Sequence, residues 1–125
     1  MKSRKTDLVE SWRELSAAHA AVFDTLEREL SKRHGLTVSE FEVLQRLAES
    51  PESNARMQDL ADAVHLSQSA LSRLVGRLEA DGYVSRALCE LDRRGIYACI
   101  TNAGRDLVEQ AEPTQAEVLE ATLAR

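Results

Sequence analysis

Two cysteines, two prolines and five glycines in 125 residues exclude several classes of protein at once. Cys89 and Cys99 are too few for a disulfide framework, so a reducing compartment, the cytoplasm, is the expected location. With Pro and Gly this scarce there is no low-complexity linker, and no repeat is evident. No run of about 18 uncharged apolar residues occurs, so no membrane partner is expected. The start, MKSRKTDLVESW, is basic but has no apolar stretch behind it, and does not read as a secretory signal. GxSxG, a glycine-rich phosphate loop, HExxH and a paired-carboxylate constellation are all missing, so no enzyme is expected. His19, His34 and His65 fall in separate segments without ligand spacing, so neither a metal nor another cofactor is expected.

What is present is a chain with 43% apolar residues, enough to bury a real core at a length that suits one domain, 1–125. The formal net charge is −5, which by itself argues against a nucleic-acid partner. The distribution is more informative than the sum. Residues 1–67 carry nine Lys/Arg against twelve Asp/Glu, and residues 95–125 carry two against five. Residues 68–94 carry five Arg against four acids, and are the only part of the chain that is not acidic. An acidic body with a local arginine cluster is compatible with DNA binding, and it limits non-specific binding by repelling phosphates.

Leu8, Trp12, Leu15, His19, Val22, Leu26 and Leu30 recur at spacings of three and four, which predicts a helix over 7–33 closed by Gly35. Thr37-Val38-Ser39-Glu40 has the form of a capping box. It opens a second helix with Phe41, Val43, Leu44 and Leu47 on its buried side and Pro51 as its stop. A short helix, Gln58 to Val64, is followed by the tight connection His65-Leu66-Ser67, with Ser67 as N-cap of a helix from Gln68 to about Ala80. Leu71, Leu74, Val75 and Leu78 form its buried stripe, and Gly82 ends it. Two strand candidates, 83–88 and 96–100, flank a charged tip from Cys89 to Gly95, with Ile96, Ala98 and Ile100 alternating onto one face. Thr101 caps a final helix that Pro113 interrupts or restarts. The expected class is mainly α with a small β-hairpin (α+β).

Two short helices joined by three residues make a helix-turn-helix candidate. Opposite the apolar stripe of the second lie Gln68, Ser69, Ser72, Arg73, Gly76 and Arg77 at helical spacing. None is acidic, and a carboxylate there would repel phosphate. Hydroxyls and an amide at the helix start suit base edges, Arg73 reaches guanine or phosphate, Arg77 reaches phosphate, and Gly76 lets a groove wall approach. Taken alone, this face is better explained as solvated surface. The hairpin shifts the balance, because Asp92-Arg93-Arg94 at its tip describes a wing. An arginine there can enter the negative minor groove, with Asp92 holding Arg94 extended. A charged tip also keeps a strand edge soluble, so the order helix, turn, helix, wing carries the reading.

The stretches LTVSEFEVLQRLAE, MQDLADAVHLSQSALSRLVGRLEADGYVSR and DRRGIYACITNAG resemble the MarR family pattern over roughly residues 35–112. The resemblance implies a winged helix-turn-helix and a homodimer on double-stranded DNA, with recognition helices in successive major grooves and wings in minor grooves. It also implies repression of nearby genes, released by a small-molecule effector. Ser67, Gln68, Ser69, Ser72, Arg73 and Arg77 match the recognition helix, and Asp92 and Arg94 match an acidic-x-Arg wing motif; Arg93 joins this candidate DNA-binding set. Arg56 stands where the family often has a capping Ser or Thr, and adds a candidate phosphate contact. The family's usual ligand pocket lies between the first helix and the DNA-binding lobe, where Trp12, His19 and Phe23 are candidates; core or dimer contact is the plainer reading of each. The helices at about 7–33 and 101–125 are the expected dimerisation helices. The family usually closes with a further long helix that intertwines two subunits, and this chain stops at Arg125, soon after that helix could begin. Redox-sensing members typically use a cysteine near the N-terminus, and none precedes Cys89. The rival reading is a winged-helix docking module that binds no DNA, whose net charge of −5 suits a basic protein partner.

Overall fold

Ser3 opens α1 (Arg4–His34) by accepting the Thr6 amide at 3.1 Å, and Gly35 closes it with φ at 68°, in the left-handed region. The computed structural model describes residues 3–89 and 92–123, with the side chains of 88, 89 and 92–94 outside the description. The capping box forms as expected: Thr37 Oγ1 accepts the Glu40 amide at 3.0 Å, Glu40 Oε1 accepts the Thr37 amide at 2.9 Å, and α2 (Val38–Glu49) follows. Glu27 of α1 accepts the Val38 amide at 3.0 Å, which anchors the start of α2 to α1.

Ser53, at φ 63°, turns the chain into β1 (Asn54–Arg56), a strand the sequence reading did not foresee because three residues are too few to show alternation. Then come α3 (Met57–Ala63), α4 (Gln68–Ala80), β2 (Val84–Cys89), β3 (Asp92–Ile100) and α5 (Asn102–Thr122). The sheet is antiparallel throughout, in the order β1-β3-β2. The register pairs Cys89 with Asp92 and Cys99 with Ser85, so the two cysteines are far apart along the hairpin and no disulfide crosses it.

Phe41, Leu44 and Leu47 of α2 pack against Leu71, Val75 and Leu78 of α4, with Leu30 of α1, Ala98 of β3 and Val108 and Ala111 of α5 closing the cluster. Each fully buried large side chain of this set contributes about 1.5–3 kcal/mol relative to leaving it exposed. Ala98 and Ile100 turn inward as the alternation predicts, but Ile96 lies past the end of the core and stays 47% exposed.

Pro113 neither breaks nor restarts the last helix. α5 runs through it, although proline gives no amide to the preceding turn. Tertiary contact outweighs this local loss. Ala111, Thr114 and Val118 are buried, His34 Nε2 and Thr114 Oγ1 share a hydrogen bond at 2.7 Å, and Arg33 bonds Glu117 at 2.9 Å. The same pairing with Arg33 holds the Glu117 carboxyl below its usual range and raises the Arg33 guanidinium. The N-terminal half of α1 buries none of its apolar residues: Leu8, Trp12 and Leu15 are exposed, Val22 and Phe23 further along are half-buried against the core, and Leu26 and Leu30 are buried.

Candidate nucleic-acid interface

The helix-turn-helix is built by a turn at His65, whose φ of 59° reverses the chain, with the Leu66 amide returning to the Ala61 carbonyl at 3.0 Å. Ser67 caps α4, accepting the Ala70 amide at 3.1 Å, and its Oγ lies 3.3 Å from that of Ser69. Leu71, Leu74, Val75 and Leu78 bury one side of α4. Gln68, Ser69, Arg73 and Arg77 are exposed, while Ser72 and Gly76 are half-buried.

The surface of α4 has two edges. Gln68 and Ser72 border a cavity of about 150 Å³ with Met57, Leu71, Arg86 and Ile96, on the side of the hairpin. Arg73 and Arg77 border an open cleft of about 370 Å³ with Glu27, Thr37, Ser39 and Leu66, on the side of α1 and α2. Arg56, at the end of β1, lines a third hollow of about 140 Å³ with Gln68, Gly95 and Ile96, so this candidate phosphate contact stands beside the start of α4. Its side chain makes no capping bond to α3.

Gly76 differs from expectation. The space its missing side chain leaves is occupied by the protein: a Cβ there would lie 3.3 Å from Arg86 Nη2, so the opening to a groove wall is already covered. Arg86 of β2 donates from Nη2 to the Ser72 carbonyl, its Nε lies 3.8 Å from Glu79 Oε1, and its own amide donates to Glu79 Oε2 at 3.2 Å. Sequence reading counted Arg86 within the arginine cluster but gave it no role, because which helix a strand residue leans on is a tertiary fact.

The wing is a two-stranded ribbon. Leu88 pairs with Ile96 and Cys89 with Asp92, so the step from Leu88 to Cys89 spans an irregularity holding Arg93, Arg94 and Gly95 of β3. Such bulges bend a strand and re-aim its residues. Glu90 and Leu91 lie outside the described residues, and so do the side chains of Asp92, Arg93 and Arg94; the expected Asp92–Arg94 contact falls there.

Trp12 and His19 are exposed and Phe23 is half-buried, with the His19 and Phe23 rings stacked at 5.8 Å. The cleft that α1 does form with α4 lies further along, at Glu27, and none of these three lines it. Among the described residues there is no cluster of three His, Cys, Asp or Glu able to hold a metal ion, and no helix long and apolar enough to cross a membrane.

Residues 34–95 match the profile of the MarR family. The homoprotocatechuate degradative operon repressor of Escherichia coli is 34% identical over 90 residues, which make up 72% of this chain and 59% of that protein. The chain thus spans less than two thirds of that relative's length. Sco3205 of Streptomyces coelicolor, a MarR family transcriptional regulator solved in complex with DNA, superposes with a TM-score of 0.86 at 31% identity, over 98% of this chain and 76% of that one. CouR of Rhodococcus jostii RHA1, solved with p-coumaroyl-CoA bound, superposes with a TM-score of 0.79 at 27% identity, over 88% of this chain and 76% of that one.

Proposed function

The chain belongs to the MarR family of transcriptional regulators, and from that premise we propose that it binds duplex DNA sequence-specifically, as a homodimeric repressor on a pseudo-palindromic operator. The observation that carries the reading is the outward side of α4, which bears Gln68, Ser69, Ser72, Arg73 and Arg77, with the Glu79 carboxylate near its end held by Arg86, directly beside a β-ribbon wing. Gln68, Ser69 and Ser72 are the candidates for base edges, Arg73 for guanine or phosphate, and Arg56 and Arg77 for phosphate. Arg93 and Arg94 belong to the wing that reaches the minor groove, with Asp92 holding Arg94 extended.

Two copies reach two half-sites a helical turn apart. The uncovered stripe of Leu8, Trp12 and Leu15 on α1, together with Leu123 beyond α5, supports pairing through the terminal helices, since large apolar residues exposed in a row mark an interface. Bound at a promoter, the dimer excludes RNA polymerase. An effector that re-spaces the two recognition helices weakens binding, because both half-sites can no longer be met together. The cleft between α1, α2 and α4 is the better place for such a ligand than Trp12, His19 and Phe23, because it borders Arg73 and Arg77 and suits an anionic molecule. CouR with its bound acyl-CoA shows only that a protein of similar fold takes a small molecule.

The test is fluorescence anisotropy with the DNA upstream of the chain's own gene. Operator affinity should fall with salt at a log–log slope of about −0.9 per phosphate neutralised and survive scrambled competitor. A winged-helix docking module would instead give no saturable binding to any duplex.

A further inference from the structure

Arg86 is outside every set of residues assigned to DNA above, yet its side chain hydrogen-bonds the first strand of the wing to the recognition helix. Its guanidinium donates to the Ser72 carbonyl from the first residues of β2. Glu79, the penultimate residue of α4, accepts the Arg86 amide at 3.2 Å through Oε2, and its Oε1 lies 3.8 Å from Arg86 Nε as an ion pair. Gly76 completes the arrangement: any Cβ at that position would press on the guanidinium at 3.3 Å. The three α4 positions stand at helical spacing, so Arg86 lies along nearly two turns of the recognition helix. Its side chain is 32% exposed, which leaves it more occupied with the protein than with solvent.

We propose that Arg86 is a positioning residue that locks the hairpin to α4, so that helix and wing meet the DNA as one rigid reader. The inference rests on the DNA-binding reading. Its physical basis is that phosphate and base contacts add only when their spacing matches the grooves, and a wing free to pivot keeps the contacts but loses the register. A planar guanidinium is required because it serves a carbonyl and a carboxylate in fixed directions, which an ammonium does not.

The experiment compares the wild-type chain with Arg86→Ala, Arg86→Lys and Gly76→Ala. Operator affinity should fall about tenfold in Arg86→Ala, about the cost of one mismatched base pair, with scrambled-DNA affinity and the salt slope unchanged. Gly76→Ala should shift in the same direction, and Arg86→Lys should not rescue. A salt slope smaller by about 0.9, or an equal loss on scrambled DNA, makes Arg86 a phosphate contact and overturns the proposal. Residual dipolar couplings of the free protein supply a readout without DNA. One alignment tensor should fit both α4 and the β2–β3 ribbon in the wild type, and two should be needed in Arg86→Ala or Gly76→Ala. A single tensor in both folded variants also overturns the proposal. If the wild-type chain binds no DNA, the functional reading fails, and the couplings still decide whether the lock exists.

Discussion

At the scale of single residues, the side chains proposed to meet DNA and the one proposed to position them occupy different places. Arg73 and Arg77 are exposed on one edge of α4, while Ser72 lies on the other, with its carbonyl already given to Arg86. Arg77→Ala should weaken binding to all sequences alike and reduce the salt slope by about 0.9, whereas changes at Ser72 and Arg73 should alter which operator is preferred. Salt titrations on two operators distinguish the outcomes, and a uniform loss at Ser72 and Arg73 would make them phosphate contacts. Gly104 is constrained by space: a Cβ there would run into the Tyr83 carbonyl and lie 2.7 Å from Ile100 Cγ1. Gly104→Ala should therefore destabilise the fold by about 1–3 kcal/mol, the usual cost of overpacking, seen as a lower urea midpoint.

At the scale of elements, what was legible in the sequence is what local chemistry decides. Thr37 and Glu40 form their capping box, Ser67 caps α4, Gly35 ends α1 in the left-handed region, and the stripes of α2 and α4 are buried. Thr37→Ala should cost about 1 kcal/mol in a denaturant titration, as loss of an N-cap commonly does. What was not legible depended on partners distant in sequence. β1 exists because β3 offers it an edge, and α5 continues past Pro113 because α1 holds it through His34 and Arg33. The Arg33–Glu117 pair carries its own pH signature. The folded-state value for Glu117 is depressed, so its contribution is complete above the ordinary value of 4.5 and is lost as pH falls through the lower folded value. Glu117→Gln should flatten the acid limb of the stability curve, with a small cost at neutrality, small because the pair is exposed, that vanishes as pH falls below the folded value. An unchanged acid limb would remove the pair from the stability of the α1–α5 junction.

At the scale of the whole molecule, the apolar stripe of α1 is the largest discrepancy between pattern and packing. Its periodicity predicts a helix with a buried side, and the helix forms, yet Trp12 stays 66% exposed and Leu15 70%. The sequence shows that this side is apolar, but not whether it packs within the chain or against a second copy. Pairing through it predicts that Trp12→Glu with Leu15→Glu gives a folded monomer by sedimentation and lowers operator affinity at least tenfold, because half-site binding loses the gain from linkage. A dimer that persists in this variant would move the interface elsewhere.

The acidic body and the polar, arginine-bearing side of α4 point the same way, since DNA is then tolerated on one surface only. The most direct measurement is hydroxyl-radical footprinting of the chain's upstream DNA. Two protected stretches related by a pseudo-dyad are expected, about 10 base pairs or a multiple apart, each flanked by minor-groove protection that disappears in Arg94→Ala. An unprotected duplex at saturating protein, or protection of one stretch without its symmetric partner, would contradict a paired helix-and-wing reader of DNA.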